Sequence, residues 1–116
     1  MSFFTIGPEK RCYETISVLS GVETVVNGHK VIELSKEMNA ILGSEDVVYL
    51  MRYGKQIPWS LLCDRVLVFP FWQLPGYPNT MHYLYWDDYP PAKLVARWTN
   101  VDNKWFHNAV VLRRIY

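Results

Sequence analysis

The chain has 116 residues and a formal net charge of +1; half its residues are apolar and 16% are aromatic. That length suits one domain over 1–116 with enough apolar surface for a packed core, and the near-neutral charge excludes a strong pull toward nucleic acid or an anionic membrane. Two cysteines, Cys12 and Cys63, are too few for a disulfide framework, no Cys/His spacing matches a zinc site, and no apolar run is long enough to span a membrane. The expectation is reduced thiols, a cytoplasmic setting and no metal or cofactor. "MSFFTIGPEK" lacks a charged stretch followed by a long apolar run, so no signal peptide is expected there.

In chain order, the first half reads as helical. "RCYETISVLSGV" sets Tyr13, Ile16 and Leu19 near one face at helical spacing, with Ser20-Gly21 as the stop. "KVIELSKEMNAILG" carries a broad apolar stripe of Ile32, Leu34, Met38, Ile41 and Leu42, turns Lys36 and Glu37 outward, and ends on Gly43. A third helix starts at the capping Ser44, places Glu45 and Asp46 at the positive end of its dipole, and closes at Gly54.

The second half reads as strands. "RVLVFPFW" (65–72) is β-branched and aromatic, with Pro70 marking a bulge or an edge. "LPGYPNT" (74–80) is dense in turn formers and leads into the strand "MHYLYWD". After the break at "DYPP", "KLVARW" (93–98) and "WFHNAVVLRRI" (105–115) are two more strands around the turn "TNVDNK". Helices first and strands afterwards predict an α+β domain, its N-terminal helices packed on a C-terminal antiparallel sheet of about four strands.

Two polar groups are placed for chemistry. Cys12 falls at the start of the first predicted helix, where the dipole and the neighbouring Lys10 and Arg11 favour a thiolate. His82 sits within a strand whose alternation puts His82, Leu84, Trp86 and Asp88 on one face. A histidine beside a helix-end thiol is a general base for a cysteine nucleophile. The residue that would orient the imidazole is open between Asp88, about 20 Å along the strand from His82, and Asn100, Asp102 or Asn103 in the later turn. His29 reads as a solvated loop residue, His107 as structural, and Cys63 as unreactive.

These stretches resemble the small papain-like cysteine peptidases akin to the bacteriocin leader-peptidase domain. The likeness rests on "CYETISVLSG" as a helix led by its cysteine and on "VLVFPFWQLPGYPNTMHYLYWDD" as the histidine strand with its Pro/Gly loop. It implies a papain-like fold with Cys12 as nucleophile and His82 as base; the Asp-Pro from which this family draws its orienting carboxylate has no match in "DDYPPAKLVARW", so Asp88 stands as the acidic member only through the face it shares with His82. The oxyanion glutamine that this family carries before its cysteine is absent; Ile6 stands at about that place, leaving Gln56 or Gln73 to serve. The implied activity is a cysteine-dependent hydrolase or acyl transferase acting on a peptide, amide or acyl bond. The alternative is a non-catalytic protein on the same scaffold that binds a partner protein as an inhibitor, immunity or phage accessory protein, or that pairs as a homodimer. Eighteen aromatic residues supply the interface anchors such a protein needs.

Overall fold

The chain opens on a β-hairpin where a helix was expected. In the computed structural model, which describes residues 3–19 and 24–115, β1 (Phe3–Ile6) and β2 (Arg11–Ser17) pair antiparallel from Phe3 opposite Glu14 to Ile6 opposite Arg11. The turn between them is built by local chemistry. Pro8 presets its own φ, Gly7 and Lys10 take φ of +76° and +51°, and the Lys10 N–H donates to the Gly7 carbonyl at 3.0 Å. Downstream, Thr15, Ile16 and Val18 are β-branched and favour the extended chain over a helix. Cys12 therefore stands on a strand opposite Thr5, not at a helix start. The stop expected at Ser20-Gly21 lies outside the described residues.

The other two predicted helices form, with shifted ends. α1 (Gly28–Glu37) is capped by Asn27, whose side chain accepts from the Lys30 N–H at 3.1 Å. It stops at Asn39 (φ +55°), where the Asn39 and Ala40 N–H groups donate to Lys36 and Ser35 carbonyls, the pattern of a Schellman cap. Ile41 is consequently beyond the helix and exposed, and Gly43 precedes α2 (Ser44–Arg52) instead of ending α1. A 3-10 turn at Gly54–Gln56 and a short α3 (Trp59–Leu62) lead into the sheet strands.

The main sheet has six strands in the order β1-β2-β8-β4-β5-β6 and is mixed. β4 (Val66–Phe69), β5 (Thr80–Asp87) and β6 (Lys93–Asn100) form an antiparallel meander as expected. The last predicted strand divides. Lys104–Trp105 (β7) pairs with β3 (Val26–Asn27) in a two-stranded ribbon, and Ala109–Arg114 (β8) enters the centre of the sheet, antiparallel to β2 and parallel to β4. The run Ala109–Leu112 is buried throughout, and a strand apolar on both faces belongs inside a sheet covered on both sides.

α2 and α3 cover one face of the sheet, where Tyr13, Leu67, Phe69, Leu84, Val110 and Leu112 pack with Val47 and Leu50. α1 and Trp105 cover the other, over Ile16, Val68, Met81 and Val111. Ser35, on the buried side of α1, has a hydroxyl with no hydrogen-bond partner. Ser35→Ala removes that orphaned group and improves helix propensity. It is expected to raise the unfolding free energy by about 1 kcal/mol in urea titrations.

A polar cluster ties the N-terminal hairpin to α2. Tyr13 Oη donates to Asp46 Oδ1 at 2.7 Å beneath the Arg11 guanidinium. Burial pushes the Tyr13 phenol pKa well above its ordinary value, and the bond to Asp46 adds to the rise. With the folded-state pKa raised, this contribution to stability is complete below the unfolded value near 10. It is then lost as pH climbs from there toward the folded value. The urea midpoint is thus expected to fall above about pH 10, and to fall less steeply in Tyr13→Phe.

Candidate functional site

The expected cysteine–histidine pair is split by the sheet. Along β2, Cys12 shares its face with Ile16, on the α1 side; along β5, His82 shares its face with Leu84, on the α2 side. Two strands, β8 and β4, lie between β2 and β5, a lateral separation of about 14 Å at the usual strand spacing. Cys12, His82 and Asp88 are therefore not brought together. The reason lies in the hairpin: once residues 11–17 are extended, the thiol points away from the α2 face and has no helix dipole behind it.

His82 has a structural environment. Its Nδ1–H donates to the Trp72 carbonyl at 2.7 Å, which leaves Nε2 unprotonated in the neutral ring, and the imidazole stacks on the Trp72 indole at 3.9 Å. Both contacts fix the aromatic loop that follows β4. Asp88 is exposed beyond the end of β5, where the neighbouring Asp87 closes the strand by accepting the Tyr89 N–H at 3.0 Å. None of the alternative orienting groups bonds the imidazole: Asn100 pairs with Thr80, two residues along β5 from His82, but Nδ1 is already held by the Trp72 carbonyl; Asn103 closes the following turn, and Asp102 meets His29 Nε2 at 3.0 Å. His29 thus lies in the first turn of α1, not in a loop. Gln56 accepts from the Gly7 N–H, and Gln73 donates to the Pro78 carbonyl. Both amides hold turns in place and neither faces Cys12.

The other cysteine and histidine do share a cavity wall. Cys63 and His107 line a cleft of about 190 Å³ with Asp64 and Asn108. The Cys63 thiol donates to the Asp64 carboxylate at 3.9 Å. No grouping of histidine, cysteine and acidic residues suited to a metal ion occurs among the described residues. Among the described residues no helix is long and apolar enough to cross a membrane.

The most distinctive surface is along α2 and β6. A groove of about 490 Å³ runs between Met51–Gln56 and Ala92–Leu94, floored by Tyr53, Trp86 and Leu94 and flanked by Arg52, Lys55 and Lys93. None of these three cations forms an ion pair among the described residues. Further along the same strand Trp98 is half exposed, and Tyr77 in the loop 70–79 is more exposed still. Sequence reasoning passed over this surface because Lys93 is far along the chain from Arg52 and Lys55. Its one local signal was "KLVARW", in which cationic and apolar residues share a strand. No family model, curated protein or solved structure matches the chain.

Proposed function

We propose that the protein is a non-catalytic binding protein whose contact surface is the flank formed by α2 and β6. The observation that carries this reading is the surface itself. Unpaired cations border an apolar floor, and on the same strand the half-exposed Trp98 stands without a cover among the described residues. Aromatic and arginine side chains of this kind anchor protein interfaces. Cysteine-dependent hydrolysis or acyl transfer has no comparable support, since its nucleophile and base lie on opposite faces of the sheet. A papain-like origin for the scaffold rests on the likeness of "VLVFPFWQLPGYPNTMHYLYWDD", because the residues around Cys12 form a hairpin strand.

Thiol labelling together with affinity capture tests the reading. Under limiting iodoacetamide at neutral pH, the exposed Cys63 is expected to label before the half-buried Cys12, and neither faster than a model thiol. In capture from cell extract, the protein that the unmodified chain retains is expected to remain on Cys12→Ser and to be lost from Trp98→Ala. Rapid labelling of Cys12 that disappears in His82→Gln would sink the proposal in favour of catalysis, as would capture unaffected by Trp98→Ala.

A further inference from the structure

β6 is a long, regular edge strand whose protection among the described residues is charge alone, from Lys93 and Arg97. It is last in the sheet order, and among the described residues no strand pairs with its outer side. Its register with β5 runs without a bulge from Asp87 opposite Lys93 to Thr80 opposite Asn100. No proline interrupts it. Edges of folded proteins are usually shortened, bulged, charged, broken by proline or covered; β6 relies on Lys93 and Arg97, which repel cationic or identical strands but not an acidic one, whereas the opposite edge, β1, has only four residues.

The direction of the free backbone groups follows from the ladder. The Val101 N–H donates to the Asn79 carbonyl at 2.9 Å, one step beyond Thr80 opposite Asn100. In an antiparallel pair, hydrogen-bonded and non-hydrogen-bonded positions alternate. Lys93, Val95, Arg97 and Thr99 therefore bond inward to β5. Leu94, Ala96 and Trp98 turn their N–H and C=O groups outward, and Asn100 its N–H, its carbonyl being taken by the Asn103 N–H at 3.0 Å.

The two faces of this edge differ in chemistry. Leu94, Ala96 and Trp98 lie on the α2 face and form an apolar row that continues the groove beside Tyr53 and Trp86. Lys93, Val95, Arg97 and Thr99 lie on the other face, where Lys93 and Arg97 are exposed and unpaired among the described residues. Asp87 stands across from Lys93, but its carboxylate is engaged by the Tyr89 N–H.

Building on the binding reading, we propose that β6 accepts an extended segment of a partner protein as a seventh strand. That segment alternates apolar residues, facing Leu94, Ala96 and Trp98, with acidic residues, facing Lys93 and Arg97. Main-chain bonds to the outward groups supply the attachment, and side-chain pairing across the new ladder supplies the selection. Charge distinguishes this occupant from a second copy of the chain. Antiparallel self-pairing centred on Val95 sets Lys93 against Arg97, and centring on Arg97 sets that residue against itself. Centring on Ala96 gives Lys93 opposite Thr99 and Arg97 opposite Val95. No register of β6 on itself offers a carboxylate to either cation.

The test uses two acetylated, amidated eight-residue peptides, one alternating glutamate with valine and one alternating lysine with valine. Titrated into the whole chain and followed by amide NMR, the glutamate peptide is expected to bind with a micromolar to low-millimolar Kd. Its shifts should centre on the amides of Leu94, Ala96, Trp98 and Asn100, and its affinity should fall with added salt. The lysine peptide should bind at least about fivefold more weakly. Ala96→Pro removes one outward N–H and spares the inward bonds of Val95 and Arg97, so it should abolish binding. Arg97→Glu, a change at an exposed side chain, should reverse the preference between the peptides even if the proline variant does not fold.

Equal binding of both peptides, shifts away from β6, or no binding at millimolar concentration would each overturn the proposal. So would dimerisation of the free chain through β6, seen by light scattering and abolished by Ala96→Pro. Capture that is lost in Trp98→Ala but persists in Ala96→Pro removes this docking mode alone and leaves the binding reading in place.

Discussion

Arg11→Met is expected to lower the unfolding free energy by about 3 kcal/mol, near the low end for breaking a buried ion pair. The guanidinium is almost fully buried, with side-chain exposure of 8%, and lies 3.2 Å from Asp46 Oδ1 and 3.2 Å from Glu9 Oε2. It also sits 4.1 Å from the centre of the Tyr49 ring. Methionine keeps much of the side chain's length and its packing on Tyr49, so the loss reports the charge and its hydrogen bonds. The effect stays at the lower end because Asp46 retains the Tyr13 hydroxyl and has Arg114 at 3.7 Å. It also occupies the first turn of α2, where the helix dipole favours a negative charge. In urea titration at neutral pH the midpoint should fall by about 1 M or more, with an unchanged slope. Adding Asp46→Asn to Arg11→Met should cost less than the sum of the two single changes, because both remove the same Arg11–Asp46 contact. Strict additivity would mean that Arg11 acts through packing and its other partners, not through Asp46.

This cluster also shows where the sequence was readable and where it was not. Glu45 and Asp46 were legible as a helix start, because dipole chemistry acts within one turn of the chain, although Gly43 and not the expected Ser44 holds the cap position and no side chain caps the helix. The meander β4-β5-β6 was legible for the same reason: its hairpins are local and its alternation is clear. The first predicted helix failed because Tyr13, Ile16 and Leu19 suit helical spacing, while Thr15, Ile16 and Val18 suit a strand equally well. What decides between them is Gly7-Pro8, a turn that folds β2 back on β1, and then β8, nearly a hundred residues later in the chain. That partnership joins opposite ends of the chain, and no short window contains it. The place of β8 was similarly hidden: "AVVL" announces burial on both faces, but not which strands flank it.

The candidate site suffered most from this error. Its whole case required Cys12 at a helix terminus, so one misread element carried the nucleophile to the wrong face of the sheet. His82 was correctly placed on a strand, but the Trp72 carbonyl and indole that satisfy it come from a loop whose path was not predictable from pattern. The α2–β6 surface was missed because its parts converge only after α2 crosses the sheet. The edge character of β6 depends on β8 having gone elsewhere: an expectation of four sequential antiparallel strands would have put the last strand beside β6 and covered it.

The turn that makes β2 a strand has its own expected result: Gly7→Ala should cost about 2–5 kcal/mol. Two effects combine. At φ +76° any L side chain is strained, by about 1–2 kcal/mol. A Cβ built there also falls 1.9 Å from Tyr49 Oη and 2.4 Å from the ring carbon that bears it, and relieving such overlap typically costs about 1–3 kcal/mol. Tyr49 cannot swing away freely. Its hydroxyl donates to the Ile6 carbonyl and accepts from the Glu9 N–H, both at 3.1 Å, so it clasps the two sides of the same turn. Tyr49→Phe alone should therefore destabilise, by about 1 kcal/mol for the lost bonds. In Gly7→Ala it should instead recover part of the loss, because the nearest clashing atom is gone while the ring carbon still crowds the site. A thermal-denaturation cycle of the two single variants and the double variant measures that coupling. The same cost for Gly7→Ala with tyrosine or phenylalanine at position 49 would show that backbone strain alone sets the penalty, and that the hairpin and α2 are not locked together through this contact.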